Sequence, residues 1–336
     1  MATTVTAFAA PAALSPFEPY TYELPKIGPE DVDIKVEYCG ICHSDLSMWQ
    51  NAWGRAKFPL VAGHEIVGTV VNVGEVVHNV KVGDKVGLGW FSDSCLHCNP
   101  CLSGQHNLCD NVAITIAGRH GGFADTVRCH WVWATPIPES LNVSKVGPLL
   151  CAGITVYYPL VQLGIKPSAK VAVIGIGGLG HLALQFFSKW GCEVTAFSSS
   201  PDKAEEAKRL GADFVVNSRS DEEMAGLAGK FDLILNTVDV TLNWQAFVDA
   251  LAPMGKLHTV GAVQEPLQVR PGSLIFGEKS LSGSALGTPL ITREMLSFAA
   301  RHNIEAITEE FDFKDINAAF AHLESGKARY RVVLKM

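Results

Sequence analysis

The chain has 336 residues, 48% of them hydrophobic and 18% charged, which favours two domains with sizeable cores. Its formal net charge of −7 argues against nucleic acid or an anionic membrane surface as the main partner. No apolar run reaches the roughly 18 residues of a spanning helix, Met1 to Thr4 begin no signal peptide, and nine cysteines, four of them crowded between Cys95 and Cys109, suit metal binding in a reducing compartment, so the expectation is a cytoplasmic protein.

Residues 32–39 alternate like a half-buried strand and lead into Cys39-Gly40-Ile41-Cys42. A redox Cys-x-x-Cys would call for a strand-helix-strand setting that is absent here, and Cys39 reads as a small buried residue. His43-Ser44-Asp45 opens a short helix. Gly63-His64-Glu65 then starts a run of short, glycine-punctuated strands, including 69–74 and 82–86, which predicts a compact, barrel-like β domain.

A histidine beside a glycine is more often a satisfied turn residue than a ligand. The cysteines reverse that expectation: Cys42 lies 22 residues before His64 and Cys151 lies 87 after it. Two thiolates and one imidazole make a three-ligand zinc set whose fourth position stays open for chemistry. Beside such a metal the Ser44 hydroxyl can relay a proton, its other reading being a helix N-cap. Asp45 can accept the N–H of a zinc-bound histidine. By contrast, Cys95, Cys98, Cys101 and Cys109 close a tetrahedral thiolate shell and predict a structural zinc lobe over 92–112. An iron–sulfur cluster also uses four cysteines, but the last spacing fits it poorly. His97 and His106 are left as surface residues.

The second half opens on a buried-strand run, 170–174, followed by Gly175-Ile176-Gly177-Gly178-Leu179-Gly180 and a helical pattern through Leu182, Leu184, Phe186 and Phe187. Between strand and helix, those glycines let the backbone approach a pyrophosphate at a helix N-terminus, the dinucleotide fingerprint. The next strand, 193–197, ends in Ser198-Ser199-Ser200 and then Lys203, where an NAD site would carry a carboxylate. Hydroxyls and a cation suit a 2′-phosphate, so the predicted cofactor is NADPH. A helix over 204–210 and strands at 214–216, 231–235 and 256–260 continue the rhythm, leaving Thr237, Val238 and Val260 at carboxyl strand ends. Residues 291–302 read as helix and 330–334 as a strand rejoining the first domain. The expected fold is α/β: a β-rich catalytic domain over 1–152, a doubly wound Rossmann domain over 153–290, and a return to the catalytic domain over 291–336.

Taken together, Cys42-His43-Ser44-Asp45, Gly63-His64-Glu65 with Gly68 and Gly74, the four-cysteine lobe, Cys151-Ala152-Gly153-Ile154-Thr155, and Gly175 to Gly180 with its serines resemble the zinc-dependent medium-chain alcohol dehydrogenases. The resemblance covers nearly the whole chain and is greatest to the NADPH-preferring, cinnamyl alcohol dehydrogenase-type branch. It implies a GroES-like catalytic domain, two zinc ions per chain, and reversible hydride transfer between NADPH and aromatic or medium-chain aldehydes. It further implies that Cys42, His64 and Cys151 hold the catalytic zinc, with Glu65 able to approach the metal during ligand exchange. Ser44 would bond the substrate oxygen, Thr155 lie against the nicotinamide, and His43 and Arg331 stand near the pyrophosphate. Trp49, Trp53, Phe58, Trp90 and Leu286 fall where the branch builds its substrate pocket, their other reading being ordinary core residues. The family also implies a homodimer through strands near 281–284.

Two departures from the family pattern stand out. Ser47 occupies a position where relatives often carry a relay histidine, and the stretch from Cys109 to Gly121-Gly122 is short, which opens the expected pocket. A zinc-free enone reductase would not need Cys42, His64 and Cys151 together, a polyol dehydrogenase tends to carry a carboxylate at the Cys151 position, and a non-catalytic NADPH sensor would show a broken triad.

Overall fold

A computed structural model describes residues 2–199 and 203–336. Ser200, expected at the cofactor, lies outside the described residues. The chain forms two compact units, Met1–Ile154 with Leu286–Met336, and Thr155–Ala285.

The first unit is built on the long strand Asp31–Ile41. It pairs antiparallel with Glu65–Val73 along one edge, and with Thr126–His130 and Arg331–Lys335 on the other. Val32, Ile34, Val36, Cys39 and Ile41 are buried along it, each fully buried aliphatic side chain contributing roughly 1.5–3 kcal/mol. The buried Asp33 is matched by Arg128, whose Nε donates at 2.7 Å. Helix Ile316–Glu324 buries Ile316, Ala319 and Phe320, a helical-period face, and Phe320 packs its ring on Phe17 and Phe123.

Two expectations shift here. The strand expected over 82–86 is Lys85–Leu88, because Gly83 takes a positive φ of 95° and Asp84 closes a turn by accepting the Lys81 N–H at 3.0 Å. The first unit resumes at Leu286 and not at 291, because helix Pro289–His302 buries Met295, Leu296 and Ala299 within that unit.

The second unit carries six parallel strands in the spatial order Phe214–Val216, Glu193–Phe197, Lys170–Ile174, Phe231–Asn236, Leu251–Thr259, Ser280–Gly283. In chain order this is 3-2-1-4-5-6, the doubly wound arrangement. Central strands of such a sheet are covered on both faces, which is why Val171 to Val173 and Leu233 to Leu235 are unbroken apolar runs, all buried. Helix Gly180–Trp190 buries Leu182, Ala183, Leu184, Phe186 and Phe187, and stops at Gly191 in the left-handed conformation. No helix among the described residues is long and apolar enough to cross a membrane.

Candidate active site

Cys42 follows the long strand and caps helix His43–Trp49. The N-cap is therefore Cys42 and not Ser44, and Asp45, three residues on, accepts the Cys42 N–H at 2.9 Å through Oδ2. The other Asp45 oxygen accepts the Gly63 N–H at 2.8 Å and stands 3.1 Å from His64 Nδ1. An N–H on Nδ1 leaves Nε2 with its lone pair toward Cys151, whose Sγ is 3.3 Å away. Cys42 Sγ and Cys151 Sγ are 3.9 Å apart, and one donor atom from each of Cys42, His64, Glu65 and Cys151 falls within a 4.8 Å cluster. Thiolates about 2.3 Å from one tetrahedral ion would show such a separation, so this donor set fits zinc. Ser44 Oγ lies 3.9 Å from Cys42 Sγ, and Ser47 is buried in the same helix.

The electrostatics of the cluster follow from its burial and from one cation. Glu65 is fully buried and ion-paired with Arg331, while its Oε2 has no partner among the described residues. Burial raises the Glu65 carboxyl to about 7 against the pull of Arg331. A hydrogen bond from Cys151, opposed by burial and aided by Arg331, holds Cys42 well below the usual thiol range, while Cys151 is pushed up by the same bond and by burial. Burial alone would lower His64, but the Asp45 carboxylate outweighs it and holds His64 high. Binding a divalent metal here would release the protons that His64 and Cys151 hold in its absence, since the ion takes an imidazole lone pair and thiolates.

The pairing of Glu65 with Arg331 has no signal in the sequence. Arg331, which the family resemblance places near a pyrophosphate, pairs with Glu65 in the structure. The register explains this: Val333 lies opposite Gly40, and Gly40 opposite Glu65. A Cβ on Gly40 would stand 2.0 Å from Glu65 Oε2, so the missing side chain is what admits the carboxylate.

The lobe thiols Cys95, Cys98, Cys101 and Cys109 also lie within 4.8 Å of one another, and the N–H groups of Cys95 and Asn111 point at Cys109 Sγ, at 3.5 and 3.4 Å. These residues fit a closed structural site. His97 is exposed as expected, but His106 is half-buried, with Nδ1 3.3 Å from Ser94 Oγ and its ring against Trp133.

The expected pocket residues separate. Trp90 stands edge-on to His64 with ring centres 4.8 Å apart, and Trp53 stands edge-on to Trp90 at 6.1 Å. Leu286 shares a small cavity with Trp90. Trp49 instead bonds the Ser15 carbonyl at 2.7 Å and packs on Phe320. Phe58 lines a different cavity of about 590 Å³ with Tyr20, Tyr22, Arg119 and His120. Neither is brought to the metal cluster by any of these contacts.

In the second unit the glycine loop lines a cavity of about 660 Å³ together with Ser198, Ser199, Lys203, Thr237 and Val238. Gly175 has a φ of 86°, a Cβ on Gly180 would meet the Gly175 carbonyl at 1.9 Å, and Gly177 faces open space where a ligand can approach the backbone. Gly178 and Leu179 complete the loop, and Lys203 donates to the Ile176 carbonyl at 3.0 Å. Thr237 Oγ1 donates to Ile174 at 2.8 Å, locking the loop's start to the neighbouring strand. These features fit a dinucleotide. Val260, whose N–H donates to the Asn236 carbonyl, does not line the cavity. Thr155 is buried on helix Ala152–Gln162, and His43 is exposed as the first residue of its helix. Ser218, Arg219 and Asp221 also line the cavity, and no motif in the sequence marks them.

Comparison with known proteins agrees with this geometry. Residues 28–139 match the alcohol dehydrogenase GroES-like domain, and residues 178–301 match the zinc-binding dehydrogenase domain. An aldehyde reductase of Synechocystis is 51% identical over 330 residues, covering 98% of each chain. A cinnamyl alcohol dehydrogenase structure from Sorghum bicolor superposes with a TM-score of 0.94 at 38% identity, over 99% of this chain and 98% of that one. One from Helicobacter pylori, complexed with NADP(H), gives 0.90 at 30% identity, over 100% and 99%. The chain belongs to the zinc-dependent alcohol dehydrogenases, in their cinnamyl alcohol dehydrogenase-type branch.

Proposed function

We propose that the protein is a zinc-dependent, NADPH-linked aldehyde reductase and alcohol dehydrogenase, acting on aromatic and medium-chain aliphatic aldehydes. The observation that carries this reading is the convergence of Cys42, His64 and Cys151 with the Ser44 hydroxyl beside them. When bound, zinc supplies a Lewis acid for a carbonyl oxygen and reduced nicotinamide supplies a hydride. The chain's own residues do the rest. Cys42, His64 and Cys151 hold the metal, and Cys95, Cys98, Cys101 and Cys109 hold a second, structural one. Asp45 fixes the tautomer of His64. Ser44 gives a proton to the substrate oxygen in reduction and takes it back in oxidation. Trp90 and Trp53 supply an aromatic wall beside His64. The glycine loop receives the pyrophosphate, and Ser198, Ser199 and Lys203 favour the 2′-phosphate of NADPH.

A homodimer is supported by strand Ser280–Gly283, which among the described residues pairs on one side only, and by Ile275 and Phe276 nearby, 69% and 93% exposed. A cytoplasmic setting is supported by nine cysteines free of disulfides. The test is an absorbance assay on zinc-quantified protein, offering cinnamaldehyde, benzaldehyde and hexanal with NADPH or NADH. The expected result is consumption of NADPH well above NADH, abolished by removing the metal. Consumption of neither cofactor by zinc-loaded protein would overturn the reading in favour of a non-catalytic sensor.

A further inference from the structure

We infer that Arg219 grips the 2′-phosphate of the dinucleotide and is a specificity-determining residue for NADPH over NADH. The inference rests on the NADPH reading above and adds to it a second arm of the site. Strands Glu193–Phe197 and Phe214–Val216 run parallel with Phe197 opposite Val216, and the Ser198 N–H donates to the Val216 carbonyl at 3.0 Å. The two chain segments therefore leave the sheet side by side. One continues as Ser198-Ser199, the other as Asn217-Ser218-Arg219, and Ser198, Ser199, Ser218 and Arg219 line the cavity that holds the glycine loop.

The second segment is held in shape by its own hydrogen bonds. Glu223 Oε2 accepts the Asn217 N–H at 2.9 Å, and Asn217 Oδ1 accepts the Arg219 N–H at 3.1 Å, bending the backbone at the cavity edge. Ser220 then caps helix Asp221–Ala225. A residue between an Asx turn and a cap has little backbone freedom, so less ordering remains to be done when a ligand arrives.

The charges distinguish Arg219 from Lys203. The Lys203 ammonium donates to the Ile176 carbonyl, which ties it to the glycine loop. Among the described residues the exposed Arg219 guanidinium has no ion pair or hydrogen bond. The lining also includes the Asp221 carboxylate, at the first turn of its helix. A phosphate monoester carries close to two charges, and a planar guanidinium meets two of its oxygens at once, which a point-charge ammonium cannot do. An unpaired arginine lining the same cavity as Ser198 and Ser199 matches that group, which NADH lacks.

The test is fluorescence titration of the full-length protein with NADPH and with NADH, without aldehyde, for the wild type, Arg219→Gln and Arg219→Lys. Arg219→Gln should weaken NADPH binding by about tenfold, the scale of one lost charge-assisted contact, and leave NADH unchanged. Arg219→Lys should recover part of the difference. Equal weakening of both cofactors would assign Arg219 to the shared adenosine and overturn the inference, as would no change in either. A wild type that binds both equally would overturn the NADPH reading itself, which the Gln variant alone could not do. Arg219 is exposed, so unaltered circular dichroism is expected for both variants.

Discussion

Asp45 ties two metal ligands from distant segments with a single carboxylate. One oxygen holds the Cys42 N–H and the other serves both Gly63 and the His64 ring. Removing it frees the ring of its orienting partner and leaves the Cys42 N–H unsatisfied. Asp45→Ala should lower zinc affinity by about 10–100-fold, measured by competition with a chromogenic chelator. Unchanged affinity would show that packing alone orients His64. This contact was legible because Asp45 follows Cys42 closely in a pattern with a known physical use. The Glu65–Arg331 pair was not, since its partners are 266 residues apart and only the strand register joins them. The cavity that Phe58 lines with Tyr20, Tyr22, Arg119 and His120 was not legible either, because side-chain type says nothing about which cavity a residue will face.

Among the elements, strand Leu251–Thr259 carries a buried histidine with no charged partner among the described residues. His258 Nδ1 lies 2.8 Å from Ser282 Oγ and Nε2 lies 2.9 Å from Ser284 Oγ, clasping the edge strand and the residue after it. Burial lowers its pKa from an ordinary 6.5 to about 4. The unfolded chain therefore takes up this proton first. The stability His258 contributes is present above pH 6.5 and is lost progressively as pH falls toward about 4. A wild type that loses more melting temperature across that window than His258→Gln supports this, and parallel pH profiles refute it. The parallel strands were readable as elements because both-face burial writes itself as an apolar run. The strand expected over 82–86 was less so, because Gly83 and Asp84 sit in an apolar-flanked run yet form the turn entering the strand.

For the whole molecule, the two units with their separate cores predict separable failures. Cys98→Ser removes one of four clustered thiols from the first unit. It should lower that unit's Tm by several degrees, about 1 kcal/mol moving a unit of this size by roughly 2–4 °C. NADPH titration of the second unit's cavity should be unaffected. Loss of NADPH binding in a folded Cys98→Ser protein would show that the units are not separable in this way. The first unit is also discontinuous, and this bears on its birth. Glu65 leaves the ribosome long before Arg331, with the whole dinucleotide unit made in between. Throughout that interval the nascent acid lacks the cation it pairs with in the interior, and Gly40 has its Glu65 neighbour but not yet its Val333 one. The catalytic unit of this protein is thus the first to be started and the last to be finished, and a chaperone that shelters nascent chains would meet it with its carboxylate still in water.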